Sequence, residues 1–334
     1  MPPLADFATP NAKKHRLSPV AWRERLFDRI FARDYSYCLW IAAILPSPNG
    51  AALHGERGII GGVWRNEKET LMKKHTFTFM GTGAGCGVPS FFCDCPACEE
   101  ARANPRARRG DCGTMIKGEK TLFIDTPPDL RHQCIRENVR RIDEVLYTHC
   151  HSDHVGGLLE LEYLVQLKQK EALPVYGSAE TLAGIAQEFH YMTYALDMRK
   201  IAPMDTVEFD GVKYTALPCT HAAGTYGYLI ETGDTRMFYA SDTGKLPPET
   251  YERLQDIDIL AMDATFWKNN WSPAAHHSVQ ECIEEGLSLN AGKIYLTHLC
   301  MHYDEPITLV ELEEFLAQYE GRVEAAHDGL TFEV

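Results

Sequence analysis

A chain of 334 residues with 45% hydrophobic content can bury one or two large cores, as ordinary globular proteins do. Its net charge of -14 argues against a large phosphate-backbone footprint, so a nucleic-acid partner is not expected. The longest uncharged apolar run, residues 37–46, falls short of the ~20 residues of a membrane helix, and the N-terminus lacks the apolar stretch of an export signal. Eleven cysteines, an odd number with several beside prolines and glycines, point to metal ligands and reduced thiols in a cytoplasmic protein rather than to disulfides.

Residues 1–71 differ from the rest. They carry ten Lys/Arg against seven Asp/Glu, hold prolines and glycines throughout, and show one helical pattern near residues 21–27. They read as a poorly ordered extension, either translated leader upstream of a natural start at Met72 or a regulatory arm. The compact domain is expected over 72–334.

That domain opens with a strand over 76–80 and a glycine-rich loop, residues 81–89, which reads as a tight turn or, alternatively, as a loop that brings backbone N–H groups close to an anion. Cys93, Cys95 and Cys98 follow at the spacing of a metal site. Residues 121–125 read as a buried strand ending at Asp125, either an acceptor for a ligating histidine or a turn former, and a helix starts at Pro128-Asp129. After the strand 144–147 comes His149-Cys150-His151-Ser152-Asp153-His154. His149 and His151 alternate on extended backbone and so face one side, and a helix onset then turns Asp153 and His154 back toward them. Such imidazole and carboxylate groups suit zinc, manganese and iron.

The pattern from Val155 to Lys170 predicts one core-facing helix with Leu158, Leu159, Leu161, Leu164 and Val165 inward. Residues 201–240 read as antiparallel strands with turns at Gly211 and Gly233-Asp234, and 257–262 as a buried strand leading to Asp263. His221, Asp242 and His298 each lie just past a β-branched or aromatic run, at a strand end where rigid backbone can aim a ligand. Ser278 with Glu281, and Thr308 with Glu311, form capping boxes, so His276 and His277 stand immediately before a helix.

The His-x-His-x-Asp-His motif, followed in order by His221, Asp242 and His298, resembles the metallo-β-lactamase superfamily. The resemblance implies an α/β (α+β) fold, the αββα sandwich with metals at its rim. It places one divalent ion on His149, His151 and His221, a second on Asp153, His154 and His298, and Asp242 between them. Two such cations about 3.5–4 Å apart can share a water and lower its pKa, which permits hydrolysis without a protein nucleophile. Asp153 would thus be both ligand and catalytic residue, and the metals manganese or zinc.

The trio Cys93, Cys95 and Cys98 after a Gly-Thr-Gly loop is similar to the phosphodiesterase branch that includes the phosphoribosyl 1,2-cyclic phosphate phosphodiesterase of phosphonate breakdown. That branch implies a structural zinc with His302 as fourth ligand, and His276 as general acid with His277 as its fallback. Here His302 stands four residues after His298 where the branch has three, so Cys300 competes with it. The expected activity is metal-dependent hydrolysis of a small cyclic or diester phosphate by a cytoplasmic enzyme, with a homodimer left open. The alternatives are a tRNA 3′-processing nuclease of the same fold and a non-hydrolytic accessory protein of cofactor biosynthesis.

Overall fold

The computed structural model describes residues 74–302 and 305–334. The extension expected over 1–71 and the proposed start at Met72 lie outside the described residues. In chain order the strands are β1 (Thr76–Gly81), β2 (Gly113–Lys117), β3 (Thr121–Ile124), β4 (Glu144–Leu146), β5 (Leu173–Gly177), β6 (Leu196–Lys200) and β7 (Thr206–Phe209). The second series comprises β8 (Val212–Pro218), β9 (Tyr226–Glu231), β10 (Arg236–Ala240), β11 (Ile259–Asp263), β12 (Lys293–Thr297), β13 (Val323–Ala325) and β14 (Thr331–Glu333). They make two seven-stranded sheets, in the orders β14-β1-β2-β3-β4-β5-β6 and β13-β12-β11-β10-β9-β8-β7. Strands β3 to β6 run parallel, as do β10 to β13, with antiparallel pairs completing each sheet.

The period-2 alternation of buried strands explains the layers. On β10, Met237 and Tyr239 point between the sheets, where Phe77 and Phe79 of the facing sheet join them. Phe238 and Ala240 point the other way, onto Val279, Cys282 and Ile283 of the helix Val279–Ser288. On the first sheet, Leu122 and Ile124 face inward while Phe123 packs outward with Leu158, Leu161 and Ile185. Three apolar layers separated by two sheets are the expected αββα sandwich.

Both capping boxes form as predicted, each with its Ser or Thr side chain on the third backbone N–H and its Glu returning the bond. The single helix expected over 155–170 does not form. It is broken into Ser152–Val155 and Leu158–Leu164, followed by one wide turn, Val165–Gln169. The interruption is steric. A Cβ on Gly157 would lie 2.2 Å from the Pro127 carbonyl oxygen, so the chain passes there only as glycine. The break rotates the face beyond it, and Leu159, expected in the core, is 41% exposed.

The parallel strands put their carboxyl ends at one rim, where ligand sites of such sheets collect. Asp125 follows β3, His149 follows β4, and Asp242, Asp263 and His298 stand at the ends of the neighbouring strands β10, β11 and β12.

Candidate metal centre

His151 caps the short helix Ser152–Val155, and that turn carries Asp153 and His154 back beside the two preceding rings. The His149 ring centroid lies 4.5 Å from that of His151, 4.8 Å from His221 and 4.3 Å from His154. Asp242 sits among them, with Oδ2 3.0 Å from His154 Nε2 and Oδ1 3.2 Å from His298 Nε2. Asp153 Oδ2 approaches the same two nitrogens at 3.4 and 3.7 Å. All seven residues predicted as active-site ligands therefore meet at one place.

Hydrogen-bond logic sets the histidine tautomers. Thr148 Oγ1 gives its one proton to Asp125 Oδ2 at 2.7 Å, so it accepts from His149 Nδ1 at 3.0 Å. Thr265 Oγ1 likewise donates to Asp263 Oδ1 and accepts from His298 Nδ1, each at 2.7 Å. His154 Nδ1 donates to Asp125 Oδ2 at 2.9 Å, and His221 Nδ1 to the Ala275 carbonyl at 2.9 Å. In each ring Nε2 is the nitrogen left turned to the cluster. His151 presents Nδ1 instead, 3.1 Å from His221 Nε2. Carboxylate or hydroxyl partners that fix the far nitrogen in this way are the usual support of a metal-binding histidine.

The donor set fits divalent cations. His149 Nε2, His154 Nε2, His298 Nε2 and Asp242 Oδ2 are buried without a hydrogen-bond partner, a costly state that a cation relieves. The electrostatics agree. Burial alone would lower His154 and His298, but Asp242 outweighs it, pushing His298 up to about 9 and His154 well above the ordinary range. Burial would raise Asp242, yet His298 and His154 hold its carboxyl well below the usual carboxylate range. The cluster thus calls for positive charge. Asp125 and His298 also hold left-handed backbone, φ 66° and 54°, strain of the kind that gathers at functional sites.

Asp125 resolves as the acceptor for a ligating histidine rather than a turn former: it is fully buried and binds both His154 and Thr148. His276 lies beside the centre, stacked on His298 at 5.4 Å with an interplanar angle of 8°. Its Nδ1 is 2.7 Å from Asp263 Oδ2. Sequence reasoning placed Asp263 only as a strand end, although it closes β11 much as Asp242 follows the neighbouring β10. His277 is differently placed. Its Nδ1 donates to the Thr243 carbonyl at 2.7 Å and its Nε2 meets Glu285 at 2.8 Å. Burial would lower this imidazole, but Glu285 and Asp263 raise it, and both of its nitrogens are engaged by the protein. Its geometry suits a brace, not the fallback acid expected from sequence.

The glycine loop takes the tight-turn form rather than the anion-binding one. The backbone N–H groups of Thr82, Gly83, Ala84, Gly87 and Val88 bind protein carbonyls rather than facing outward for an anion. Gly85 is there for close packing, since a Cβ would come 2.8 Å from Asp153 Oδ2.

A second cluster is made of thiols. The Cys93, Cys95 and Cys98 sulfurs all lie within 4.8 Å of one another. The Cys95 backbone N–H and His302 lower the Cys93 thiol to about 7, while burial pushes Cys98 up to about 12. His302 lies within hydrogen-bonding reach of Cys93, and it also stands 3.1 Å from Cys86, a residue that sequence reading did not single out. None of the ten described cysteines is in a disulfide.

A two-sheet sandwich with an imidazole–carboxylate centre at its rim is the architecture of metallo-β-lactamase-type, hydrolase-like metal-binding proteins. The profile described as the beta-lactamase superfamily domain matches residues 120–299, more than half the chain, and the protein belongs to that superfamily. Among solved structures, a new diphosphatase from the PhnP family superposes with a TM-score of 0.69 at 29% identity, covering 79% of this chain and 98% of that one. Coenzyme PQQ synthesis protein B of Cupriavidus necator is 24% identical over 301 residues, covering 75% of this chain and 97% of the relative. An octanoyltransferase of Porphyromonas gingivalis is 24% identical over 262 residues. That match covers 75% of this chain, which spans only half the length of the octanoyltransferase.

Proposed function

We propose that the protein is a metal-dependent phosphodiesterase acting on a small cyclic or diester phosphate. His149, His151 and His221 would hold one divalent cation and Asp153, His154 and His298 the other, with Asp242 shared between them; Cys93, Cys95, Cys98 and His302 would hold a structural zinc. When bound, the cation pair supplies Lewis acidity and an activated water. The chain's own contribution is orientation and proton supply. Asp125, Thr148, Thr265 and the Ala275 carbonyl keep the ligand lone pairs aimed at one point.

The observation that carries the reading is the Asp263–His276 pair stacked against the centre. With Nδ1 committed to Asp263, His276 has one nitrogen left to deliver a proton to a departing alkoxide, and the carboxylate stabilises the imidazolium that must do so. His276 also lines a cavity of about 680 Å³ with Glu252, Glu281, Glu284 and Glu285. Four carboxylates there suit a compact substrate with hydroxyl groups better than an extended polyanion, which supports a small ester over RNA. Among the described residues no helix is long and apolar enough to cross a membrane. The thiols, grouped for metals, fit a cytoplasmic setting.

The test is turnover of bis-p-nitrophenyl phosphate with added manganese or zinc, in wild type and Asp153→Ala. Activity lost in the variant supports the reading, and no activity with either metal sinks it. Because one solved relative is named a diphosphatase, a phosphoanhydride belongs in the same panel. His276→Ala is expected to slow alkyl diesters far more than p-nitrophenyl esters, whose leaving group needs little protonation. Equal losses on both remove His276 from the acid role.

A further inference from the structure

The thiol cluster holds more donors than one structural zinc uses. Around His302 stand Cys86 at 3.1 Å, the Cys93 thiol within hydrogen-bonding reach, and Cys300, whose sulfur is 3.6 Å from that of Cys86. The nitrogen and two sulfurs of Cys86, Cys300 and His302 lie within 4.8 Å of one another, as do the sulfurs of Cys93, Cys95 and Cys98. Ligand atoms on a tetrahedral zinc are roughly 3.5–3.8 Å apart, given bonds of about 2.3 Å to sulfur and about 2.0 Å to nitrogen. The Cys86–Cys300 separation already has that length, with no disulfide between the two.

We propose that Cys86, Cys300 and His302 form a second position for a thiophilic ion, so that the site is a binuclear thiolate centre of five cysteines and one histidine. Two four-coordinate ions require more contacts than six donors give singly. Thiolate sulfur has the lone pairs to bridge, and Cys86 and Cys93, the two thiols in reach of His302, are placed to do so. The centre joins parts of the chain that the sheets leave separate. Cys86 follows Gly85, the residue packed against Asp153, and Cys300 follows Leu299, whose N–H binds the Thr82 carbonyl at 2.9 Å. An ion here would clamp the glycine loop to the end of β12, beside the metal centre.

The inference rests on the reading of the cysteine trio as a zinc site, moves His302 from that ion to the second with bridging Cys86 in its place, and the test separates the two. The full protein is stripped and titrated with cobalt(II) while the thiolate-to-cobalt absorption is followed, a signal blind to ions on imidazole and carboxylate alone. Wild type is expected to bind about two thiolate-held ions, and Cys86→Ser/Cys300→Ser about one. An unchanged stoichiometry in that variant, or a single ion in wild type, overturns the binuclear centre. Cys95→Ser reports on the trio: no loss of cobalt absorption there means that the zinc reading itself has failed. If the double variant loses its far-UV signature, the single substitutions take its place, each expected to lower the absorption.

Discussion

The two donor clusters are built in different ways. Every histidine of the imidazole–carboxylate centre except His151 has its far nitrogen tied to a protein partner, and most of its donors stand at the ends of hydrogen-bonded strands. The thiol cluster is drawn from a loop, the start of the eight-residue helix Pro96–Ala103 and a segment past β12, and its sulfurs lie against one another and His302. The first centre is pre-organised by the fold, its ligand rings already aimed at one point. In the second, an ion held as proposed would supply the order that strands supply elsewhere.

The sharpest break of this contrast is at Asp242. Asp242→Asn should lower diesterase turnover at least about 1,000-fold while the far-UV spectrum is unchanged, because the site fails and the sandwich does not. Unfolding of the variant would mean that the centre is part of the core after all. Chelation attacks the other side. After metal removal, proteolysis within residues 86–98 should accelerate about 10-fold or more while the two sheets resist. Uniform protection would show that the thiol loop is as self-supporting as the strand ends.

A finer cut separates orientation from ligation. Asp263→Asn should reduce turnover of alkyl diesters about 10- to 100-fold with the metal count intact, whereas Asp125→Asn should weaken metal binding by a similar factor in a metal titration. If Asp263→Asn releases metal instead, Asp263 belongs to the ligand set. The smallest expected effect lies outside both clusters. Burial, then Asp328, pushes the Asp129 carboxyl up to about 6. A folded-state pKa above the unfolded one means that stability is highest at low pH and falls as pH rises through about 4 to 6. Asp129→Asn keeps a side-chain oxygen for Gln133 and removes the charge. Its stability gain should be about 1 kcal/mol larger at pH 8 than at pH 5 in denaturant melts. A gain independent of pH would assign the effect to packing.

Much of this was legible in local pattern. His149, His151, Asp153 and His154 are close in sequence, and their spacing on a strand-to-helix junction already directs them to one point. The capping boxes, the hairpin turn at Asp210-Gly211 with φ 53° and 83°, and the alternating strands are likewise short-range matters, decided by backbone sterics and side-chain period. Where Gly156 and Gly157 would break a helix was not, because the obstacle is Pro127 and Pro128 from another segment.

The residues that sequence left idle or undecided are those whose role is set by a partner outside their own element. Asp263 gains its meaning from His276 and Thr265, Asp125 from Thr148 and His154, and Cys86 from Cys300 and His302, more than two hundred positions away. His276 and His277 are neighbours with the same capping context, and only the packing of Glu285 and the Thr243 carbonyl braces one and leaves the other at the centre. Ligand identity is a property of side-chain chemistry and so is written in the sequence. Tautomer, charge and access depend on which buried groups lie opposite, and only the closed sandwich brings those groups together.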